Sequence, residues 1–526
     1  MTRINSNIPS LIAQSNLHKA NSNLNLRLER LSTGLRINKG ADDPAGLIIS
    51  ERLRSEIQGI EQGIRNTERA SNVIATTEGA LSEVSQLLNS IKALVVEASN
   101  TGAFSPEEIE ANQRSIDSAI DSITRISNTA TFGGLKLLNG QLGYRLSGVD
   151  DTKILKTQVN AASFLQRTDI PVDVEVVGSA QQGQLFIRGD TTTATPAAAT
   201  DGVLPTSVTL EFAGPAGVEV LTFEAGQDLD DVITAVNTRT AKTGIQAERV
   251  SGADISSGLR FFTTTYGSDE EGLISVSRLG ADGNSWWNTY QLPSDAPVES
   301  LDWANAATFQ AADTDAGKDV VALVNGSLAT GRGLELTARS SDLDVEFLLE
   351  ATFAQTVDPA NSNAFRITGG GALYQVGPDV DPSTELNIGI QSVAASRIGG
   401  TLLINDVGSQ EVQFLESLRS GAFNSLNASK SRQSFVGASQ ILDSAIDEVA
   451  TLRGRLGAFE RNTLQTNSRS LQAGLENLTA AESIIRDADF ARETSELTRA
   501  QVLASSSTTV LATANAQAQS VLQLLG

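Results

Sequence analysis

The sequence predicts an α+β multidomain protein, with a long antiparallel helical coiled-coil core formed by both termini and β-rich α+β outer domains inserted in the middle. Heptad-spaced apolar stripes run through both ends of the 526-residue chain, which is how helices that pack along helices are written. Between about 141 and 419 the apolar period falls to two, the mark of strands. Charge divides at the same borders: residues 1–140 and 420–526 each carry a net −1, and the middle carries −21 of the total −23. Aromatic residues divide likewise, the two ends holding six, all Phe, of 24 Phe, Trp and Tyr.

The first helix is predicted from about Asn5 to Leu35, with Leu17, Leu24, Leu28 and Leu31 on a narrow stripe. A Gly- and Asp-rich turn, Asn38–Gly46, follows, because such residues tolerate the dihedrals a connector needs. Asp43 is placed to cap the next helix, with Pro44 at the first position, where a missing N–H costs nothing. That helix runs to about residue 99, a rod on the order of 80 Å at 1.5 Å per residue. Leu53, Ile57, Ile60 and Ile64 begin its stripe, and Leu81, Val84, Leu88, Ile91, Val95 and Ala98 continue it as a heptad seam. Ser105-Pro-Glu-Glu108 reads as a capping box that starts another helix, with Ile109, Ile116, Ile120 and Ile123 on one face. At the other end, Ile446, Val449, Leu452, Leu456 and Phe459 form one stripe, and Leu464, Leu471, Leu475, Leu478 and Ile485 extend it. After Asp487-Ala-Asp489 a last helix carries Leu511, Ala514, Ala518, Val521 and Leu525.

The two extreme ends are rich in Asn, Gln and Ser and have only thin apolar stripes. Neither end alone buries enough surface to offset its ordering entropy, so both are expected to be disordered in a free monomer and to fold against other copies.

In the middle, Pro171–Val177 and Gln184–Arg188 read as strands around a Gly/Gln turn, followed by Leu221–Glu224, a helix over Leu229–Thr240, and strands at Gly244–Arg249, Leu259–Thr263 and Ile274–Val276. A second run holds Val320–Val324, Gly333–Thr337 and Asp344–Leu349. These place one module at about 170–280 and another at about 281–370, with 371–419 returning to the core. The Thr/Ala/Pro stretch 191–206 reads as an exposed loop. Trp286, Trp287 and Trp303 are expected in a core or a module contact rather than on a ligand platform.

Composition removes most enzyme chemistry. The chain has no Cys and a single His, His18, so thiol nucleophiles, disulfides, thiolate sites and multi-histidine metal sites are excluded. No catalytic residue, cofactor or metal ligand is predicted. Strong acidity argues against nucleic acid, no apolar run approaches a bilayer span, and the first residues lack the apolar stretch of a classical signal peptide.

Several runs in the arms resemble bacterial flagellin: Leu31-Ser-Thr-Gly-Leu-Arg-Ile-Asn-Lys-Gly-Ala-Asp-Asp-Pro-Ala-Gly-Leu47, Thr77-Glu-Gly-Ala-Leu81, Asn128-Thr-Ala-Thr-Phe-Gly-Gly-Leu135, Ala481-Glu-Ser-Ile-Ile-Arg-Asp-Ala-Asp-Phe490 and Val521-Leu-Gln-Leu-Leu525. In the middle, 221–276 looks like an insertion module of many flagellins and some flagellar cap proteins. The resemblance implies a secreted, extracellular filament subunit for motility, exported unfolded by the flagellar type III apparatus. Its implied partners are other copies, an export chaperone, the export apparatus, the filament cap and hook-associated junction proteins. It further implies that 1–40 and 490–526 are inner-tube helices, that 41–140 and 420–489 are the long-helix core, and that 141–419 is the exposed variable region. Leu17, Leu24, Leu28, Leu31, Leu511, Ala518, Val521 and Leu525 are then the assembly interface, and Asp42, Asp43, Pro44 and Gly46 the spoke between the two helical layers. Ser90-Ile-Lys-Ala-Leu94 and Ser115 depart from the pattern of flagellins that the vertebrate innate receptor senses, so weak activation is expected. The alternative function is the hook–filament junction protein; an enzymatic or adhesive activity in the middle is a more distant one.

Overall fold

The computed structural model describes residues 7–100, 102–164, 167–187, 204, 206–250, 258–280, 287–291, 310–340, 342–357, 363–404, 410–426 and 432–525. Its helices are α1 (Ile8–Thr33), α2 (Pro44–Ser99), α3 (Pro106–Thr129), α4 (Leu229–Asn237), α5 (Thr240–Thr243), α6 (Ala351–Gln355), α7 (Arg432–Ala458), α8 (Gln465–Arg486) and α9 (Phe490–Leu525). The chain forms two compact units: Met1–Ser71 with Tyr374–Glu385 and Phe459–Gly526, and Asn72–Leu373 with Leu386–Ala458.

In the first unit α1 packs on α9, antiparallel, as Asn7 Nδ2 donates to Ala514 O at 3.2 Å at one end and Arg27 meets Glu493 at the other. The two ends thus pack against each other within one chain, in the antiparallel arrangement that the sequence predicts for both termini. The start of α2 meets α8 through Arg486 and Glu51, 2.9 Å apart, and through Ile60, whose Cδ1 lies 3.8 Å from where a Gly474 Cβ would stand. The segment 374–385 lies on α2 at two glycines one turn apart. A Cβ on Gly59 would stand 2.7 Å from Pro378 O, and one on Gly63 would stand 3.2 Å from Gly377 O, so only bare backbone admits it. Between Ala458 and Gln465 the expected continuous helix takes a π-helical turn, Phe459–Leu464, where Glu460 accepts from Ser71 Oγ at 2.7 Å. No residue pattern distinguishes that turn from plain helix.

In the second unit the seam residues of α2, from Leu81 to Ala98, are all buried, as are Ile109, Ile116, Ile120 and Ile123 of α3 and Val449, Leu452 and Leu456 of α7. The Ser105 capping box forms as read, its hydroxyl accepting from Glu108 N and Glu108 from Ser105 N. The antiparallel alignment of α2 and α7 is held by Glu78 with Arg453, 2.8 Å apart, and by Lys92 with Asp443.

Two β modules complete this unit. The first packs a five-stranded sheet, in the order Ser327–Leu328, Val321–Val324, Ile170–Gly178, Asn363–Gly370, Tyr144–Ser147, against a four-stranded one ending at Ile154–Ala162. Its shared core includes Val172, Val174, Val176, Leu336, Val345 and Ile367. The second packs a sheet centred on Gln182–Ile187 and Leu259–Tyr266 against one centred on Leu273–Leu279 and Val208–Gly214, with Leu229, Val232 and Val236 of α4 in the same core. This corrects the sequence reading, in which Pro171–Val177 and Gln184–Arg188 flank one turn in one module. Ile170–Gly178 instead pairs with Val321–Val324 and Asn363–Gly370, while Gln182–Ile187 pairs with Leu259–Tyr266 and Thr289–Gln291. Alternation specifies which face of a strand is buried, but a partner more than a hundred residues away leaves no local trace. The second module is therefore inserted into the first, and the crossing strands touch at the bridge between Gln181 and Lys318. Trp287 is core, stacked on Phe223 with centroids 6.5 Å apart. Trp286, Trp303, residues 191–203 and Arg188 lie outside the described residues.

Candidate functional site: the paired terminal helices and their connector

The connector between α1 and α2 is built from side chains that cap backbone. Asp42 Oδ2 accepts from Asn38 N and Lys39 N, both at 3.0 Å, and these amides hold its carboxyl below the usual range. Asp43 Oδ1 accepts from Gly46 N at 2.9 Å, the capping bond expected of it, with Pro44 opening α2. Gly46 is buried, and a Cβ there would stand 2.6 Å from Asp43 Oδ2 and 2.7 Å from Ile37 Cδ1. Gly46→Ala is expected to destabilise the first unit by roughly 1–3 kcal/mol through overpacking, read as a lowered urea midpoint; an unchanged midpoint would show that the connector yields. The connector also has a partner the sequence did not reveal. Arg36 N donates to Arg486 O at 2.7 Å and Ala488 N to Gly34 O at 2.9 Å, so the α8–α9 junction runs beside the α1–α2 junction.

Of the expected assembly residues, Leu17, Leu24, Leu31 and Leu511 are half-buried and Leu28 is exposed. The side chains of Ala518, Val521 and Leu525 lie outside the described residues. His18 is exposed rather than packed. Among the described residues, the buried positions of the α1–α9 seam are Ala13, Ala500 and Glu493. A second set of apolar residues stays more than half exposed: Ile8, Leu11 and Ile12, on one face of α1 at i, i+3, i+4, and Leu503 and Val510, one heptad apart on α9, with Val502 beside them. All six are between 51% and 63% exposed. Sequence reasoning chose the half-buried row because it is leucine-rich, and missed the bare one because its residues are scattered among Ser and Thr.

Glu493 sits in the first turn of α9, facing Arg27 and Arg30. Burial pushes its carboxyl up, but the hydrogen bonds and charge of Arg27, then of Arg30, outweigh this and hold it below its ordinary 4.5. With the folded value below the unfolded one, the charged cluster contributes fully above the ordinary value and is lost as pH falls through the folded one. The terminal pair is therefore expected to keep its stability at neutral pH and to lose part of it in acid below the ordinary carboxylate range, measurable as a lowered urea midpoint. An unchanged midpoint under strong acid would contradict this.

These two helical ends are where the chain matches known families. The bacterial flagellin N-terminal helical region matches residues 4–142, and the bacterial flagellin C-terminal helical region matches 439–525. A flagellin of Salmonella typhimurium is 28% identical, with 99% of both chains covered, and one of Aquifex aeolicus is 27% identical over 100% of this chain and 99% of its own.

The chain belongs to the bacterial flagellin family.

As a flagellin it is a structural subunit of the flagellar filament, an extracellular assembly. The matches fall on α1–α3 and α7–α9, the parts that carry the connector and the bare apolar rows, while the flagellin's two β modules lie between them. No helix among its described residues is long and apolar enough to cross a membrane. Among solved structures, the flagellar junction protein FlgL of Legionella pneumophila aligns over 83% of this chain and 99% of its own at 12% identity, with a TM-score of 0.27; the family assignment does not rest on it.

Proposed function

We propose that this flagellin polymerises by burying the bare rows of its paired terminal helices against neighbouring copies. The observation that carries this reading is the apolar set Ile8, Leu11, Ile12, Val502, Leu503 and Val510, each more than half exposed, on helices otherwise short of charge. Repetition of one such contact along an open helical lattice makes a filament. In this reading 1–40 and 490–526 form the inner tube, 41–140 and 420–489 the surrounding helical layer, and 141–419 the face toward the medium. Leu17, Leu24, Leu28, Leu31, Leu511, Ala518, Val521 and Leu525 complete the interface, and Asp42, Asp43, Pro44 and Gly46 form the spoke. The work is association, with no catalytic residue or cofactor, and neither membrane nor nucleic acid is a partner. An export chaperone, the type III export apparatus, a filament cap and hook-associated junction proteins are the further partners. Activation of the vertebrate innate receptor is weak.

The test is seeded polymerisation: purified monomer is mixed with short filament fragments, sedimented and imaged by negative stain. Long uniform tubes are expected, and are lost when residues 1–35 or 495–526 are removed. A protein that stays monomeric at high concentration with seeds would fit the junction reading instead.

A further inference from the structure

Among the described residues Glu493 is the only charged one in the buried interior, at 5% exposure. Arg27 Nη1 donates to both of its oxygens, at 3.0 and 2.9 Å, and Arg30 Nη1 donates at 3.3 Å. The partial charges of the helix ends favour this arrangement, with the acid in the first turn of α9 and Arg30 in the last turn of α1. Apart from the junction bonds at one end, Arg36 N to Arg486 O and Ala488 N to Gly34 O, the rest of the seam says little about alignment along the two helices. Its other buried residues are Ala13 and Ala500, and its leucines are only half-buried. Sliding α9 by one heptad, about 10 Å, would exchange small and apolar residues for similar ones. It would also leave a buried carboxylate without its cations, which is strongly unfavourable.

We propose that the Glu493–Arg27–Arg30 cluster is the register lock of the terminal helix pair. It selects one antiparallel alignment, and so determines where the rows of α1 and α9 stand relative to each other when a neighbouring copy meets them. The consequence for assembly rests on the polymerisation reading above; the lock itself is a property of the single chain. Glu493 is a positioning residue in this role, and its contribution is to uniqueness of pairing more than to helix content.

Because the chain contains no Cys, an introduced pair forms the sole disulfide. Ser10→Cys with Asn515→Cys reports the observed register, since Ser10 Oγ donates to Asn515 Oδ1 at 2.7 Å. Ser10→Cys with Thr508→Cys reports a slide of one heptad. In the otherwise unaltered full chain, oxidation is expected to favour the first link by on the order of tenfold or more, about 1.4 kcal/mol. Two variants remove the lock: Glu493→Gln, and the apolar set Arg27→Met, Arg30→Met, Glu493→Leu, which keeps the seam covered without charge. Both are expected to lose most of that preference, the junction bonds alone favouring the first link, while helicity is retained. If Glu493→Gln lowers helicity, the apolar set decides. A preserved preference for the Asn515 link in the apolar set overturns the lock, and so does equal yield in the unaltered background. Seeded growth of the wild type separates the two ideas. Growth with a Glu493-independent register sinks the lock alone, and a Glu493-dependent register without growth sinks the polymerisation reading alone.

Discussion

A chain carrying Leu503→Asp and Val510→Asp is expected to remain monomeric in the presence of seeds, at concentrations at least about a hundredfold above those at which the wild type grows, a difference of roughly 2.8 kcal/mol. Both side chains are more than half exposed in the single chain, so aspartate meets water there and the monomer has little to lose. The helix-propensity cost is at most about 0.7 kcal/mol per residue, spread over a helix of 36 residues. In a filament that buries this row, each carboxylate would be taken from water with no cation to meet it, at a cost of several kcal/mol. The asymmetry between a small effect on the monomer and a large one on growth is the decisive feature. Measured by sedimentation, with circular dichroism of the monomer alongside, normal growth of the double variant would place the contact elsewhere.

The second large effect is expected inside the second unit, at Arg455 of α7. Its Nη1 and Nη2 donate to Oδ1 and the carbonyl oxygen of Asn160, at 2.5 and 2.7 Å. Asn160, fully buried in the strand Ile154–Ala162, donates in turn to Asp344 at 3.3 Å and Glu346 at 3.2 Å. Burial draws the guanidinium's pKa down, and the carboxylates of Asp344 and Glu346 hold it up. Arg455→Met leaves the buried oxygens of Asn160 without their donors, while Asp344 and Glu346 keep Arg339 as a cation, a loss of about 1–3 kcal/mol. Lysine is expected not to restore the stability, since one ammonium does not reproduce a two-nitrogen contact. Chemical denaturation followed at a probe in the β modules tests this, and a variant within about 1 kcal/mol of wild type, the worth of an ordinary hydrogen bond, would show that the network contributes no more than that.

The periodic parts of this protein were legible because their signals are local. The seam from Leu81 to Ala98, the cap at Asp43, the box at Ser105 and the helix start after Asp489 each follow from residues within one or two turns, and each stands where the pattern placed it. The candidate site was legible in outline only. Leucine spacing identified the seam of α1, yet the bare rows, the Arg36–Arg486 pairing and the Glu493 cluster all join residues more than 440 positions apart. Arg27, Arg30 and Glu493 do leave a faint mark, as charged residues on otherwise thin and uncharged ends, but two cations and an acid on separate helices read first as solvated.

By itself the sequence determined which segments are helices or strands, which face of each is apolar, where the long helices begin, and that the chemistry of the chain is association. Hydrogen-bond geometry and side-chain periodicity act over a few residues, and the order of residues contains them directly. Only the tertiary structure decided which strands share a module, in which register the two ends pair, and which apolar rows stay more than half exposed once they do. Those outcomes depend on comparing many compact arrangements of the whole chain, in which an interaction such as Glu493 with Arg27 contributes only after distant segments have already met.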